Sequence, residues 1–210
     1  MPRKKLTLGI VGAGRVGTGL ALCFARAGYR IVAVASRSAA SARKLARRVR
    51  GAHVVSPQEV ADAADLVFLT VPDDAIGAAA SGIRWREGSA CVHCSGAGDL
   101  DLLRTAAEQG ARVGGFHPLR MFGEPGKSFD LRGSAIAVAG PVPLLRELER
   151  LVRAIDARPL RVPEGGRALY HLGANFSGAF VVALIAETLA LWKKLGIAEK
   201  DALDALLPLL

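Results

Sequence analysis

The chain has 210 residues, 51% of them hydrophobic and 22% charged, a balance that allows one full α/β domain and part of another and excludes a disordered chain. Its net charge of +9 is spread out, and only 5% of residues are aromatic, so the interleaved basic and aromatic platform of a nucleic-acid binder is missing. Three cysteines, with neither a signal-like leader nor an even framework, fit a reducing cytoplasm.

Residues 6–11 read as a short apolar strand that runs directly into Gly12, Gly14 and Gly17. The helix after them carries Val16, Leu20, Cys23 and Phe24 on one face and stops at Gly28. This spacing points to a dinucleotide. Gly12 permits the tight turn, Gly14 lets backbone N–H groups approach a pyrophosphate, and Gly17 lets the helix pack close to the strand. Gly12, Ala13, Gly14, Arg15, Val16 and Gly17 are thus the candidate cradle at a positive helix N-terminus.

The second strand, 30–35, ends in Ser36-Arg37-Ser38 with no acid. NAD enzymes place a carboxylate there for the ribose 2′-OH, whereas hydroxyls and an arginine suit a 2′-phosphate. NADP is therefore the expected cofactor, held by Ser36, Arg37, Ser38 and Arg15. The dense basic run Arg43, Lys44, Arg47, Arg48 and Arg50 reads as the solvated face of the next helix.

A short strand is expected at 53–55, and apolar strands at 65–71, 89–94, 113–116 and 135–139, separated by alanine-rich helices. This alternation predicts a doubly wound, mostly parallel sheet with ligands at the carboxyl ends of its strands. Four loops or strand ends draw notice there. Val71-Pro72-Asp73-Asp74 ends a strand, its proline stopping the ladder, its acids able to cap the next helix, and Val71 and Pro72 placed over the cofactor. Ser95-Gly96-Ala97-Gly98 offers small residues and free N–H groups near the nicotinamide, with Asp99 capping the helix after it. His117 stands in a loop closing the strand that ends at Phe116, as a candidate proton donor. Arg120, in the same loop, is a candidate clamp for a substrate carboxylate or phosphate. Cys91 and Cys94 form a C-x-x-C around His93, but thiols three apart on a strand point to opposite faces and cannot share one ion. They are expected in the core, and no metal site is expected.

A helix at 143–155 and a strand at 158–162 complete the sheet, and Pro163-Glu164-Gly165-Gly166 marks the boundary between a cofactor-binding domain, 1–163, and the start of an all-helical domain, 164–210. There a long apolar helix, 167–195, is followed by another beginning near Ala198. Asn175, Glu187 and Thr188 interrupt it before the clean length of ~20 residues that a membrane span needs, so it is expected to be buried against the sheet domain and a second subunit. His171 and Asn175, four apart, lie on one face, where they could protonate and orient a substrate.

The segments V-G-A-G-R-V-G-T, V-P-D-D, H-C-S-G, F-H-P-L-R-M-F and L-Y-H-L-G-A-N-F-S resemble the Rossmann-like proteins with a C-terminal domain of unknown function. These are relatives of pyrroline-5-carboxylate reductase and of the 6-phosphogluconate and 3-hydroxyacid dehydrogenases. The resemblance covers nearly the whole chain and implies an NADP-dependent oxidoreductase fold whose helical second domain dimerises. The hydroxyacid dehydrogenases place a catalytic lysine and then an asparagine at the start of this helix. Here His171 falls near the lysine position and Asn175 is retained. The helical domain of such proteins is longer than the residues after 164 supply, so a truncated second domain with uncovered apolar surface is expected.

The function expected is hydride transfer between NADP(H) and a small anionic C=N or C=O substrate, with His171 or His117 supplying the proton and Asn175 orienting the substrate. Two alternatives stand beside it: a non-catalytic NADP-binding redox sensor or regulatory module, and a deazaflavin-linked NADP reductase.

Overall fold

The computed structural model describes residues 6–120 and 130–209. Met121 and Phe122, part of one motif above, lie outside the described residues. Two compact units emerge, Met1–Ala168 and Leu169–Leu210. Arg167, just past the turn expected as the boundary, is buried.

In the first unit, in chain order, stand β1 (Thr7–Val11), α1 (Arg15–Arg26), β2 (Arg30–Ala35), α2 (Ala39–Ala46), β3 (His53–Val54), α3 (Pro57–Ala63), β4 (Leu66–Leu69) and α4 (Ile76–Ser81). After them come β5 (Ala90–His93), α5 (Arg104–Glu108), β6 (Arg112–Pro118), β7 (Ala135–Ala139), α6 (Val142–Ala154) and β8 (Arg158–Arg161). All eight expected strands are present, some one to three residues longer or shorter. They form one sheet in the order β3-β2-β1-β4-β5-β6-β7-β8. Every pairing is parallel except β6 with β7, which matches the mostly parallel expectation.

Burial on both faces explains the near-continuous apolar strands; all four residues of β4 are buried. One face carries Leu20 and Phe24 of α1 with Leu144 and Leu148 of α6, and the other carries Val60 of α3 with Ile76 and Ala80 of α4. Phe24 stacks on Phe68 at 5.4 Å and Phe68 meets Phe116 edge-on at 5.2 Å, so three rings from α1, β4 and β6 lock the centre of the first layer. Such pairs add about 0.5–1.5 kcal/mol each beyond area burial. Cys91 lies on one face and Cys94 packs against the other, as a strand requires. Among the described residues no His, Cys, Asp and Glu group could hold a metal ion.

The second unit follows on α7 (Arg167–Asn175). Residues Phe176–Phe180 widen into a π-helical turn, after which come α8 (Val181–Lys193) and α9 (Glu199–Leu206). Leu169, Phe176, Phe180, Leu184 and Leu191 are each half or more exposed, and within this unit α9 packs on α8. By length and composition, Arg167–Lys193 is also long and apolar enough to cross a membrane.

Candidate functional site

Strand order reverses around β1, which pairs with β2 on one side and β4 on the other, and the crevice above such a reversal is where α/β sheets bind ligands. The glycine loop leaves β1 there. Gly12 sits at φ +110°, and a Cβ on it would lie 2.6 Å from the Thr70 carbonyl oxygen. Its N–H donates to the Ala35 carbonyl at 2.8 Å, tying the loop to the end of β2. A Cβ on Gly17 would fall 2.0 Å from the Gly12 oxygen and 2.4 Å from Thr70 Oγ1. Thr70 Oγ1 in turn donates to the Gly12 carbonyl at 2.6 Å. Thr70 is a support that the sequence reading missed, since only the register of β4 beside β1 brings it under the loop. Gly14, by contrast, has no heavy atom within 4 Å of where a Cβ would stand.

Gly14 caps α1 without any side-chain hydrogen bond, and the first turn holds no acid. The cradle is thus open, backed by donors and positively poised, so it fits a pyrophosphate. Ala13 is buried, Val16 half-buried and Arg15 exposed. At the end of β2, Ser36 is half-buried and Arg37 exposed. Ser38 is the N-cap of α2, its Oγ accepting from the Ser41 N–H at 3.2 Å and the Ser41 hydroxyl at 3.1 Å. Its own proton stays available to a ligand.

The loops that follow β4 and β5 differ from expectation. Asp73 and Asp74 begin a short 3₁₀ turn and cap nothing, and Asp99 makes no side-chain cap. Instead the Ser95 hydroxyl donates to Asp73 Oδ2 at 2.6 Å, and the Gly98 N–H donates to Ser95 Oγ at 2.8 Å. That N–H is therefore engaged rather than free. Val71 is half-buried and Pro72 exposed, while Ser95 and Gly96 are buried. From beneath, Arg167 clamps the loop: Nε donates to the Gly98 carbonyl at 2.7 Å and Nη2 to the Ser95 carbonyl. Arg167 is 1% exposed. It occupies the space above Gly115, where a Cβ would come within 2.7 Å of its guanidinium.

His93 lies under the same loop, paired across the sheet with Gly115. It is fully buried. Neither ring nitrogen has a well-formed hydrogen bond among the described residues, the Asp99 backbone exerting only a weak pull. Burial first, and the Arg167 charge second, hold its pKa down at about 4. Burial likewise pushes the Cys91 and Cys94 thiols far above their ordinary range.

His117 stands inside β6, opposite Ala137, rather than in a loop after it, because the antiparallel pairing with β7 prolongs the strand. It is half-buried on the face that carries Gly115 and acts electrostatically on His93. Arg120 is exposed, with Nη1 donating to Ser134 Oγ at 3.2 Å. His171 and Asn175 lie in α7 within the second unit, one turn apart and both half-buried. The first unit therefore gathers every expected cofactor residue with His117 and Arg120, while the expected acid and orienting pair belong to the second.

Fold and loop define the class: a doubly wound α/β protein with a dinucleotide-type glycine loop and a helical C-terminal region. The chain belongs to the family of Rossmann-like proteins with the domain of unknown function DUF2520, the Rossmann-like domain matching residues 1–118 and DUF2520 residues 134–210. No curated protein matches it.

Three solved structures illustrate the likeness. A Bacteroides fragilis protein, provisionally described as an NADP oxidoreductase, is 26% identical with TM-score 0.79, over 98% of this chain and 77% of its own. The reductive aminase of Aspergillus terreus, in complex with NADPH and ethyl levulinate, is 21% identical with TM-score 0.79, over 98% and 72%. The 1-pyrroline-5-carboxylate reductase of Streptococcus pyogenes is 17% identical with TM-score 0.75, over 96% and 75%. The last two are likenesses of fold alone.

Proposed function

We propose that this protein is a cytoplasmic, NADP(H)-dependent oxidoreductase acting on a small anionic C=N or C=O substrate. The observation that carries the reading is the glycine loop, open at Gly14 and braced by Thr70, next to a β2 end that carries Arg37 and two serines in place of an acid. The Bacteroides fragilis relative, 26% identical, supports the same class of chemistry.

When bound, the nicotinamide would exchange hydride with the substrate carbon. The chain's own residues supply the rest. Ala13, Gly14 and the first turn of α1 hold the pyrophosphate, Val71 and Pro72 cover the ribose, and the Ser95-Gly96 loop, clamped by Arg167, sets the floor of the nicotinamide side. His171 or His117 would give a proton to the substrate nitrogen or oxygen in reduction and take one up in the reverse direction. Asn175 orients the substrate and Arg120 meets its anionic group. The uncovered apolar face of α7 and α8 pairs with a second copy, a homodimer rather than a bilayer contact, since Asn175 and Glu187 interrupt that helix.

The test is titration with NADPH and NADH followed by turnover of a panel of imines, keto acids and hydroxy acids. His171→Ala should lower turnover by roughly 10²–10⁴ with NADPH affinity kept; unchanged turnover removes that role from His171. A second reading, a non-catalytic NADP-binding sensor, follows from the family resemblance, in which His171 falls near the position where the hydroxyacid dehydrogenases carry a lysine. NADPH that binds but is oxidised by no substrate in the panel would favour it.

A further inference from the structure

Between the first turn of α1 and the outer face of α2 lies a groove of about 480 Å³, lined among others by Gly14, Arg15, Thr18, Ser41, Lys44 and Arg48. Three lining side chains are cations, two are hydroxyls and none is acidic. Ser41, Lys44 and Arg48 follow at i, i+3 and i+7, and Arg47, the C-cap of α2, still has helical dihedrals. The three therefore form one stripe, directed away from the buried Ala42 and Leu45. Like charges four apart on a helix repel by about 0.2–0.5 kcal/mol. None of the ion pairs among the described residues compensates Arg15, Lys44 or Arg48. The uncapped start of α1 adds partial positive charge at the groove's inner end. A groove that gathers this charge and balances none of it is built for a compact, highly charged anion adjoining the pyrophosphate cradle.

We infer that the groove seats the 2′-phosphate of NADP(H), with Lys44 and Arg48 as specificity-determining residues beside Arg15. This rests on the cofactor reading above and deepens it: the basic run is more than a solvated helix face. Arg37, at the end of β2, then stacks on the adenine and meets the same phosphate from the side of β2.

The experiment is fluorescence titration with NADPH and NADH of the wild-type chain and of Lys44→Met/Arg48→Met, with 2′-AMP and 5′-AMP as competitors. Both substitutions sit on exposed positions, and circular dichroism verifies the fold. The double variant should lose tenfold or more in NADPH affinity, about the effect of losing a charge-assisted hydrogen bond, with NADH binding unchanged. In the wild type 2′-AMP should compete better than 5′-AMP, and in the double variant no better. If the wild type prefers NADPH and the double variant keeps that preference, the inference is overturned while the cofactor reading stands. Equal binding of NADPH and NADH by the wild type overturns the 2′-phosphate assignment. Binding of neither overturns the cofactor reading and the inference together.

Discussion

His93 should make the sheet unit acid-labile by an amount that can be worked from its surroundings. In the unfolded chain its imidazole titrates near ~6.5; in the fold, burial and Arg167 hold it at about 4. Between these values the unfolded chain binds a proton that the folded one does not. Stability is thus fully present above ~6.5 and is lost as pH falls toward 4. At 1.36 kcal/mol per pKa unit, the loss between pH 7 and pH 4 comes to about 3 kcal/mol. This equals a fall in Tm of roughly 6–12 °C for a unit of this size.

Urea titrations followed by Trp85 fluorescence, a probe buried in the same unit, would measure it for wild type and His93→Leu. Groups away from His93 are the same in both, so the difference reports the protonation of His93 and its immediate neighbours. Arg167→Met should narrow the window from its lower end, since the His93 pKa rises once the guanidinium is gone. Parallel stability curves for wild type and His93→Leu from pH 7 to pH 4 would refute the reasoning.

Gly17→Ala forces a Cβ against the Gly12 carbonyl and Thr70 Oγ1. Overpacking of about 1–3 kcal/mol and a weakened hydrogen bond of about 1 kcal/mol should lower stability by roughly 2–4 kcal/mol and abolish NADPH binding, which thermal denaturation and titration check together. Cys91 and Cys94, held as thiols by burial, should resist alkylation in the native protein at pH 8 and react on denaturation; mass spectrometry reads both states.

Much of the sheet unit is legible in the sequence. The strand Leu66–Leu69 announces itself as an apolar run between turn signals, and Gly12, at φ +110°, as a position no other residue adopts without strain. Both are local: side-chain burial repeats along a single strand, and a turn's dihedrals belong to the residue that makes it. The positions of His117 and of the acids at 73, 74 and 99 are not legible. Whether His117 ends a strand or continues it is decided by β7, and whether Asp73 caps a turn or accepts from Ser95 is decided by the neighbouring strand end.

The sequence by itself determined the order of strands and helices, the glycine loop and the opposite faces of Cys91 and Cys94, because period and backbone sterics act within a few residues. Only the tertiary structure decided that Asp73 meets Ser95, that Thr70 braces Gly12, and that Arg167 reaches back 72 residues to the Ser95 carbonyl. It likewise decided that His93 lies fully buried beneath them, and that Lys44 and Arg48 line a groove with the start of α1. Such contacts depend on which strands lie side by side and on what each neighbour takes from solvent. No stretch of one strand carries that information.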